Sequence, residues 1–529
     1  MVRTSVAGIA LALLLALALA STASASPVLT LRQDGGTFVR EDRFLPPDAG
    51  EPGLAARAPR AAIALRAAPA TDAEPKRTVR GELARMLAAG EIDQPTYDRY
   101  RAIYDDAVTT CGKLSGARRA ALGAVLRNTD AIAAGGAFIA SRLPAVFETV
   151  ARNRQWWTTG SLLRYGQRVS FQGSRLVWQY YTGEGLQIQW LGTFGKANGL
   201  WQGGTYDAQL RELLGEALGL AAQRAGGIAW EYLFDFDGGR PPWVSGLAQG
   251  TALQAYSRAA VRLNEPAFFQ AARSALGIFR EAPPSGVRVA TPAGAHYLIY
   301  SFAPGLRVLN AFTQALNGLN DFALLANDAE GRALFAAGDA QLRTELPSYD
   351  TGAWSRYSLH READLSYHTL ARDFLRNLCT RLTDELTPAP VAAAAQTGGA
   401  VPLPVPPPAP VAPVADPAPY CAAAQRWTAY LAQPPKLALV SSKVRAGRPA
   451  AVRFTVDKPG FVTISLRRAG RTVAVLSARV GGGRRSLLWR HAPRGGGVFS
   501  VRLAATDLAG NAGAAGGKLR VLPARTAKR

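Results

Sequence analysis

A proline-rich stretch at residues 388–419 places the strongest restriction on how this chain folds. It contains the run PLPVPPP at 402–408 and several further prolines among alanines. Proline fixes the backbone φ angle and lacks an N–H donor, so the stretch is polyproline-like and cannot contribute to a packed core. It is either a linker between two domains or an insertion within one domain.

Helical periodicity dominates the chain on the N-terminal side of this stretch. The repetition of helix, loop and helix suits an incomplete α/α toroid, which we place at residues 201–435. Small residues around 245–250 indicate close packing between helices. The predicted helices lie at 206–224, 246–262, 266–280, 306–326, 329–344, 362–382 and 421–431.

Three regions precede this toroid. Residues 26–77 are rich in Pro, Ala, Asp and Arg without periodicity, which predicts a flexible lead segment. Residues 78–150 have helical apolar spacing. Residues 151–200 are predicted to be β-rich, because Leu186, Ile188 and Trp190 alternate with glutamines. These aromatic strands form either a sugar-facing sheet or a packed hairpin.

The composition becomes typical of β-structure after residue 435. Short runs rich in β-branched residues, at 451–456, 461–466, 472–476 and 499–503, are separated by glycines. This pattern predicts a small antiparallel β-sandwich of immunoglobulin-like type at residues 436–525. It resembles accessory domains of bacterial secreted enzymes. The predicted fold class is therefore multidomain, α plus β.

The positive charge is concentrated in this predicted sandwich. The whole chain carries +23, and residues 436–529 contribute 20 Lys and Arg against two Asp, a net +18. Such a surface either holds the protein near an anionic cell-wall polymer by steering, or is a solvated face that maintains solubility. Basic proteins also bind nucleic acid, but an exported protein meets acidic glycans first, so we expect no nucleic-acid partner.

Residues 1–25 predict export. A positively charged start, an apolar run and the small residues Ala23 and Ala25 are typical of a secretory signal peptide cleaved before Ser26. We therefore expect a secreted or cell-surface protein with no membrane span after cleavage. The three cysteines lack metal-type spacing, and there is no HExxH motif or phosphate-binding glycine loop, so the sequence predicts no metal and no cofactor.

The region between His296 and His368 contains the chemistry-bearing side chains. It holds three of the four histidines and five of the sixteen tyrosines. Loops dense in Tyr, His and Arg between helices suit recognition of an anionic sugar. The notable runs are HYLIYSFAPGLRVLN at 296–310, LPSYDTGAWSRY at 346–357, SYHT at 366–369 and, upstream, WVSGLAQGT at 243–251.

These runs resemble the C-terminal catalytic domain of D-glucuronyl C5-epimerases. That family's pattern LP-x-YDTG, then Y-x-L, then YHT is matched in order at residues 346–369, and the resemblance covers about residues 152–431. It implies the α/α toroid fold and catalytic tyrosines at Tyr300, Tyr357 and Tyr367. The candidate substrate-binding residues are His296, Tyr349, Asp350, Arg356, His360, Arg361 and His368. For His368 the alternative is that it only caps or packs, and for Tyr349 and Asp350 that they shape the loop.

The chain departs from the family pattern at two positions. Animal members have a glutamate just before the Tyr300 position, where this chain has Ile299. They have an arginine three residues after the Tyr357 position, where this chain has His360. The first departure removes a carboxylate, and the second replaces a fixed cation with a titratable one. Arg356 and Arg361 flank Tyr357 and are expected to favour its ionised form.

The resemblance also bears on the proline-rich stretch and the cysteines. Residues 421–431 resemble the last helix of the family, so the stretch is interpreted as an insertion between two helices of one domain. Cys379 and Cys421 bracket this insertion, and we predict a disulfide between them with Cys111 free. Three buried thiols are the alternative.

Three functions are consistent with these features. The first is a secreted epimerase that inverts C5 of uronic-acid residues in an acidic polysaccharide. The second is a polysaccharide lyase of α/α-toroid type, which removes the same proton and then cleaves the chain. The third, consistent with Ile299, is a catalytically lapsed glycan-binding surface protein.

Overall fold

A computed structural model describes residues 26–45 apart from residue 33, residues 77–386, and residues 415–523 apart from 447–448 and 494–495. The predicted signal peptide, residues 46–76 of the lead segment and most of the proline-rich stretch lie outside the described residues. The chain divides into two compact units. The first comprises Met1–Leu220 with Leu233–Asp237, and the second comprises Ala221–Tyr232 with Gly238–Arg529.

The first unit combines a sheet with helices. Its five-stranded sheet has the order β2-β1-β3-β4-β5, in which β1 and β3 are parallel and the other pairs antiparallel. The strands are β1 (Ser26–Leu31), β2 (Thr37–Asp42), β3 (Arg168–Phe171), β4 (Trp178–Tyr181) and β5 (Gly185–Ile188). The helices are α1 (Val79–Ala88), α2 (Gln94–Lys113), α3 (Gly116–Ala134), α4 (Leu143–Thr159), α5 (Trp190–Gln202) and α6 (Asp207–Leu218).

Two expectations for this unit need correction. The lead segment predicted to be flexible contains β1 and β2, because β1 pairs with β3 about 140 residues later and buries Val28 and Leu31. The alternation predicted to continue as a strand to Trp190 ends at Ile188. There the side chain of Gln189 accepts a hydrogen bond from the Gly192 N–H at 2.6 Å and caps α5.

The second unit begins with short hairpins and long helices. Helix α10 packs against α7, α11 and α12, and α12 packs against α13. The elements are β6 (Ala222–Arg224), β7 (Gly227–Ala229), α7 (Gly246–Leu263), α8 (Pro266–Ser274), α9 (Gly277–Arg280), β8 (Arg288–Ala290), β9 (Ala295–Tyr297), α10 (Leu309–Leu325), α11 (Ala329–Glu345), β10 (Arg356–Ser358), β11 (Arg361–Glu362), α12 (Leu365–Leu386) and α13 (Ala418–Tyr430).

Small residues allow the close approach of α7 and α10 that was expected from the 245–250 block. A Cβ added at Gly250 would lie 2.6 Å from the Cα of Ala315, and one at Gly318 would lie 1.9 Å from the Gly250 carbonyl. Either substitution therefore forces the helices apart. The helix predicted at 206–224 ends at Leu218, since Ala222–Arg224 pairs with Gly227–Ala229 as a hairpin.

The predicted disulfide is confirmed. Cys379 on α12 and Cys421 on α13 are bonded, with their Cα atoms 5.0 Å apart, and Cys111 is free. The bond joins the helices on either side of the proline-rich stretch, consistent with an insertion between two packed helices.

The C-terminal part of the second unit consists of two sheets around one hydrophobic cluster. One sheet has the order β12-β14-β17 and the other the order β13-β19-β18-β15-β16, in which β13 and β19 are parallel. The strands are β12 (Leu437–Leu439), β13 (Lys443–Arg445), β14 (Ala450–Val456), β15 (Gly460–Arg468), β16 (Arg471–Val480), β17 (Gly483–Trp489), β18 (Gly497–Asp507) and β19 (Ala512–Leu522). We call residues 436–523 the β domain.

A buried lysine joins the β domain to the end of α13. The ammonium of Lys458 donates to the carbonyls of Tyr430 and Gln433 and lies 3.3 Å from Oδ2 of Asp507. Both charged side chains are enclosed, with 1% and 0% of their surface exposed. In addition, the Asn511 side chain donates to the Leu431 carbonyl at 2.7 Å. The β domain is therefore packed onto the helical part of the same unit.

The described part of the chain offers neither a membrane span nor a metal cluster. No helix there is long and apolar enough to cross a membrane. No group of three or more His, Cys, Asp or Glu side chains there is arranged to hold a metal ion.

Candidate active site

The segment between α11 and α12 presents most of the predicted site residues. It begins with a 3₁₀ turn at Leu346–Tyr349 and continues through the β10/β11 hairpin, where Arg356 pairs with Glu362 and Ser358 with Arg361. Helix α12 then begins at Leu365 and carries Tyr367 and His368 in its first turn. The YDTG and YHT motifs are thus brought together by one loop and one hairpin.

Tyr357 and Tyr367 are brought into direct contact. Their ring centroids lie 4.8 Å apart with an interplanar angle of 70°, and the residues are 5% and 7% exposed. The Arg361 guanidinium lies 5.7 Å from the centroid of the Tyr357 ring. Two of the three predicted catalytic tyrosines therefore form a pair with a cation beside it.

The third predicted tyrosine, Tyr300, lies in an aromatic group with residues of the upstream motif. Its ring stacks on Phe302 at 5.2 Å and meets Trp243 edge-on at 5.4 Å. Backbone hydrogen bonds fix the segment on which it lies, from the Gly246 N–H to the Ile299 carbonyl and from the Ser301 N–H to the Val244 carbonyl. The WVSGLAQGT motif therefore positions Tyr300.

Glu345, which the sequence motifs did not single out, organises the buried side of the site. Its carboxylate accepts hydrogen bonds from His296 Nδ1 at 2.9 Å, from Gln341 at 2.5 Å and from Arg307, and lies 3.4 Å from the Tyr349 hydroxyl. Burial raises the pKa of Glu345, but these hydrogen bonds and the charge of Arg307 outweigh it and hold the pKa below its usual value.

His296 and Tyr349 are buried around this carboxylate. Burial lowers the pKa of His296, and the hydrogen bond to Glu345 only partly opposes this effect. Burial and the nearby Glu345 charge raise the pKa of Tyr349. Both side chains are enclosed and contact Glu345, at the end of the helix that precedes the loop. Their predicted part in binding substrate stays a prediction.

Asp350 ties the YDTG motif to the last helix. Its Oδ2 accepts from the Trp427 indole at 3.1 Å and from Arg426 at 3.3 Å, and its Oδ1 accepts from the Tyr430 hydroxyl at 3.0 Å. These three partners all lie on α13. The contacts explain why a segment after the proline-rich stretch belongs to the same domain, and they give Asp350 a structural part in the loop.

His368 is enclosed between two tryptophans. Its ring stacks on Trp354 at 4.0 Å and lies 5.9 Å from Trp427. Nδ1 lies 2.7 Å from the Ser355 hydroxyl and accepts from the Ser355 N–H at 3.3 Å, while Nε2 lies 3.0 Å from the Trp427 carbonyl. A backbone N–H can only donate, so these partners fix the neutral Nε2–H tautomer.

Burial lowers the pKa of His368 to about 4, although the Trp427 carbonyl opposes the shift. The side chain does not reach solvent. These contacts fit the alternative that His368 packs, with the neutral ring holding Ser355 and Trp354 against the start of α12. Its part in binding substrate stays a prediction.

The remaining members of the predicted binding set, which are exposed or half-buried, lie on the hairpin. His360 is at its turn, Arg361 is exposed, and Arg356 donates to the Leu359 carbonyl at 3.0 Å. Arg356 also lines an open cleft of about 610 Å³, together with Asp350, Thr351, Glu362 and the β-domain residues Lys436 and Asp457. These cations are accessible to an anionic ligand.

Comparison with known proteins supports the reading of this region. Residues 225–388 match the family described as "D-glucuronyl C5-epimerase C-terminus". Over these residues, the chain is similar to the C-terminal domain of D-glucuronyl C5-epimerases. The matched range contains Tyr300, Glu345, the tyrosine pair and His368, so the groups described above lie within the shared region.

One curated relative is the D-glucuronyl C5-epimerase of Caenorhabditis elegans, 32% identical over 145 residues. This match covers 25% of the present chain and 24% of the relative, so the chain matches about a quarter of that protein. The β domain lies outside the range matched by the family model.

Two solved structures show weak likeness. The endo-β-1,4-glucanase CMCax from Acetobacter xylinum is 15% identical, with a TM-score of 0.26 over 33% of this chain and 53% of that one. The family 15 glucoamylase from Hypocrea jecorina is 11% identical, with a TM-score of 0.28 over 76% and 77% of the two chains. Likeness at this level supports no statement about fold or function.

Proposed function

We propose that this chain is a secreted epimerase that inverts C5 of uronic-acid residues within an acidic polysaccharide. The observation that carries the proposal is the Tyr357–Tyr367 pair, with Arg361 beside it, within the range that matches the C5-epimerase family. The substrate class follows from the chemistry, because the hydrogen on C5 of a uronate is adjacent to the carboxylate.

The reaction breaks the C5–H bond and forms a new one on the opposite face. One tyrosine, as tyrosinate, accepts the proton and leaves an enediolate-like intermediate on the sugar. The second tyrosine donates its proton to the other face, so the two side chains exchange protonation states. We assign these roles within Tyr300, Tyr357 and Tyr367.

Charge around the pair supports this assignment. The Arg361 guanidinium places a positive charge beside the Tyr357 ring and favours negative charge on its oxygen during proton transfer. Half-buried Arg356, which lines the cleft, and exposed His360 on the same hairpin are suited to the substrate carboxylate. Neutral His368 and ionised Glu345 contact the buried side of the segment between α11 and α12, through Ser355 and Tyr349 respectively.

We further propose that α7–α13 form an incomplete α/α toroid and that the β domain is an immunoglobulin-like sandwich. Packing of α10 against three neighbouring helices supports the first interpretation. Two sheets sharing one hydrophobic cluster support the second. The sequence of residues 1–25 supports export, and the net +18 of residues 436–529 supports retention at an anionic cell-wall polymer.

A second candidate function is a glycan-binding protein without catalysis. The observation that favours it is Ile299, whose buried side chain stands beside Tyr300 where animal family members carry a glutamate. In that case the same site binds a uronan and moves no proton.

Deuterium exchange tests the proposal. The purified chain is incubated with a panel of uronans in deuterated water, and NMR measures deuterium at C5 while gel filtration measures polymer length. Exchange at constant length supports the epimerase. Shortening with new ultraviolet absorbance would identify a lyase instead, and binding without exchange would identify the glycan-binding protein.

A further inference from the structure

The outer face of the five-stranded sheet of the β domain has an unusual distribution of charge. On β15, β18 and β19, residues such as Ile464, Leu503 and Leu519 point into the core and are fully buried. Their neighbours in sequence point outward. The outward side chains include six exposed cations, Lys443, Arg467, Arg479, Arg502, Lys518 and Arg520.

These cations are not neutralised by the protein. None of the six forms an ion pair within the described part of the chain. The five strands of this sheet contain one acidic residue, Asp507, and it is buried with Lys458 rather than exposed on this face. The face therefore presents positive charge alone.

The register places five of the cations in one continuous band. Lys443 lies directly opposite Arg520, and Lys518 lies two residues from Arg520 on the same strand, about 7 Å along it. Ser500 on β18 pairs with Lys518 on β19 at one side and with Arg467 on β15 at the other. Arg502 is diagonal to both, at about 7–8 Å.

Such a band costs folding stability. Like charges directly opposite each other on a sheet repel, and no carboxylate is interleaved to relieve the repulsion. The arrangement is stabilised when a polyanion lies across it. The residues between the cations are small, with Gly516 and Ser465 opposite Arg502, so the surface is open to an extended chain.

We propose that this band, Lys443–Arg520–Lys518–Arg502–Arg467, is a binding site for an anionic polysaccharide chain, separate from the tyrosine pair. The inference rests on the proposed function for the class of polymer, since the substrate is itself polyanionic. Cations spaced at regular intervals complement anionic groups repeated along an extended chain, and serines on the same face can hydrogen-bond sugar hydroxyls.

The composition of the face favours a polysaccharide over a nucleic acid. Single-stranded nucleic acids are bound by combining cations with aromatic rings on which bases stack. On the outward face of these strands the one aromatic side chain is Phe461, opposite Arg479 at the other end of the sheet from Arg520. The band itself carries no ring.

The test compares two charge-reversed variants of the full chain. Arg502→Glu with Lys518→Glu alters the band. Arg453→Glu with Arg484→Glu makes the same change in net charge on exposed positions of the β12-β14-β17 sheet. Fluorescence anisotropy measures the Kd for a labelled polyuronate at low and physiological salt, with thermal melts to verify folding. Dextran, a DNA oligonucleotide and phosphatidylserine vesicles are the comparison ligands.

We expect the band variant to weaken polyuronate binding at least about 10-fold and to reduce its salt dependence, with the control variant changing about 2-fold or less. Equal losses in the two variants would overturn the proposal, because net charge alone would then explain binding. If the band bound DNA or phosphatidylserine vesicles more tightly than the polyuronate, the proposal would also be overturned, and that ligand would be the better candidate. If binding depended on the band but no deuterium were exchanged, the binding site would be supported and the proposed epimerase activity would be contradicted.

Discussion

The backbone N–H of Ser355 donates to Nδ1 of His368 at 3.3 Å, and this contact requires the imidazole to be neutral there. The Trp427 carbonyl at 3.0 Å accepts the proton of Nε2 on the other side of the ring. His368 thereby connects the loop before the hairpin, α12 and α13, the last of which follows the proline-rich stretch.

The His368 contact predicts a loss of stability in mild acid. The pKa is about 4 in the folded chain and near 6.5 when unfolded. Between these values the unfolded state binds more protons, so stability is present above pH 6.5 and falls as the pH decreases toward 4. The contribution of this group is about 3 kcal/mol. Urea denaturation at pH 7 and pH 4.5 measures it.

His368→Gln is the comparison for this pH effect, because glutamine keeps hydrogen-bonding capacity and does not titrate. We expect the variant to lose less stability than the unmodified chain between these two pH values. Buried His296, whose pKa is also lowered, contributes a loss of the same sign in both proteins and cancels in the difference. Identical pH dependence in the two proteins would show that His368 is not held neutral by the fold.

Glu345→Gln should destabilise the second unit. The substitution removes the charge shared by His296, Arg307 and Gln341 and leaves their hydrogen bonds only partly satisfied. We expect a loss of about 2–4 kcal/mol in denaturant unfolding. The matched control is Glu330→Gln, which breaks the exposed pair with Arg280 and should cost less than about 1 kcal/mol. Equal effects would mean that Glu345 is not an organising group.

Removing the disulfide should lower stability without abolishing the fold. The bond closes a loop with a sequence separation of 42 residues that includes the proline-rich stretch. In the chain-entropy model its loss, as Cys379→Ala with Cys421→Ala, costs about 4 kcal/mol. Cys111→Ala serves as the control and should change little. If dithiothreitol leaves the melting temperature of the unmodified chain unchanged, the crosslink does not stabilise the helix pair.

Lys458→Met should weaken the attachment of the β domain to α13. It leaves Asp507 without its buried cation and the Tyr430 and Gln433 carbonyls without their donor. We expect a loss of about 3–5 kcal/mol, since breaking a buried pair strands a charge. Lys443→Met, at an exposed position, should be near neutral. A truncation after residue 435 is expected to expose the surface of α13 that the β domain covers. Charge variants in the full chain therefore test polymer binding better than a truncation does.

The sequence predicted those elements whose signals are local. Helices α7, α10 and α11 were placed within a few residues because their apolar spacing persists over four or more turns. Strand β19 was missed because AGAAGGKLRVL is poor in β-branched residues, and its pairing with β18 decides its structure. Strands β1 and β2 were missed because the partner of β1, β3, lies far along the chain.

The site was predictable in part for a similar reason. The family resemblance identified Tyr357 and Tyr367, but their direct contact is visible only in the structure. Burial of His296 and His368 depends on helices distant in sequence, so their enclosure could not be predicted from their motifs. Glu345 directly precedes the LP-x-YDTG run, and a carboxylate at the end of a predicted helix just before that motif was the one available signal.

The most direct test of the proposed function is deuterium incorporation at C5 of a uronan by the tyrosine variants. Tyr357→Phe and Tyr367→Phe each remove one hydroxyl and keep the ring contact at 4.8 Å, so folding should survive while proton transfer is lost. We expect exchange to fall by about 10²–10⁴-fold in each, with Tyr165→Phe, at an exposed ring, exchanging at the unmodified rate. Exchange at the unmodified rate in both pair variants would show that these tyrosines only pack, and would contradict the proposed site.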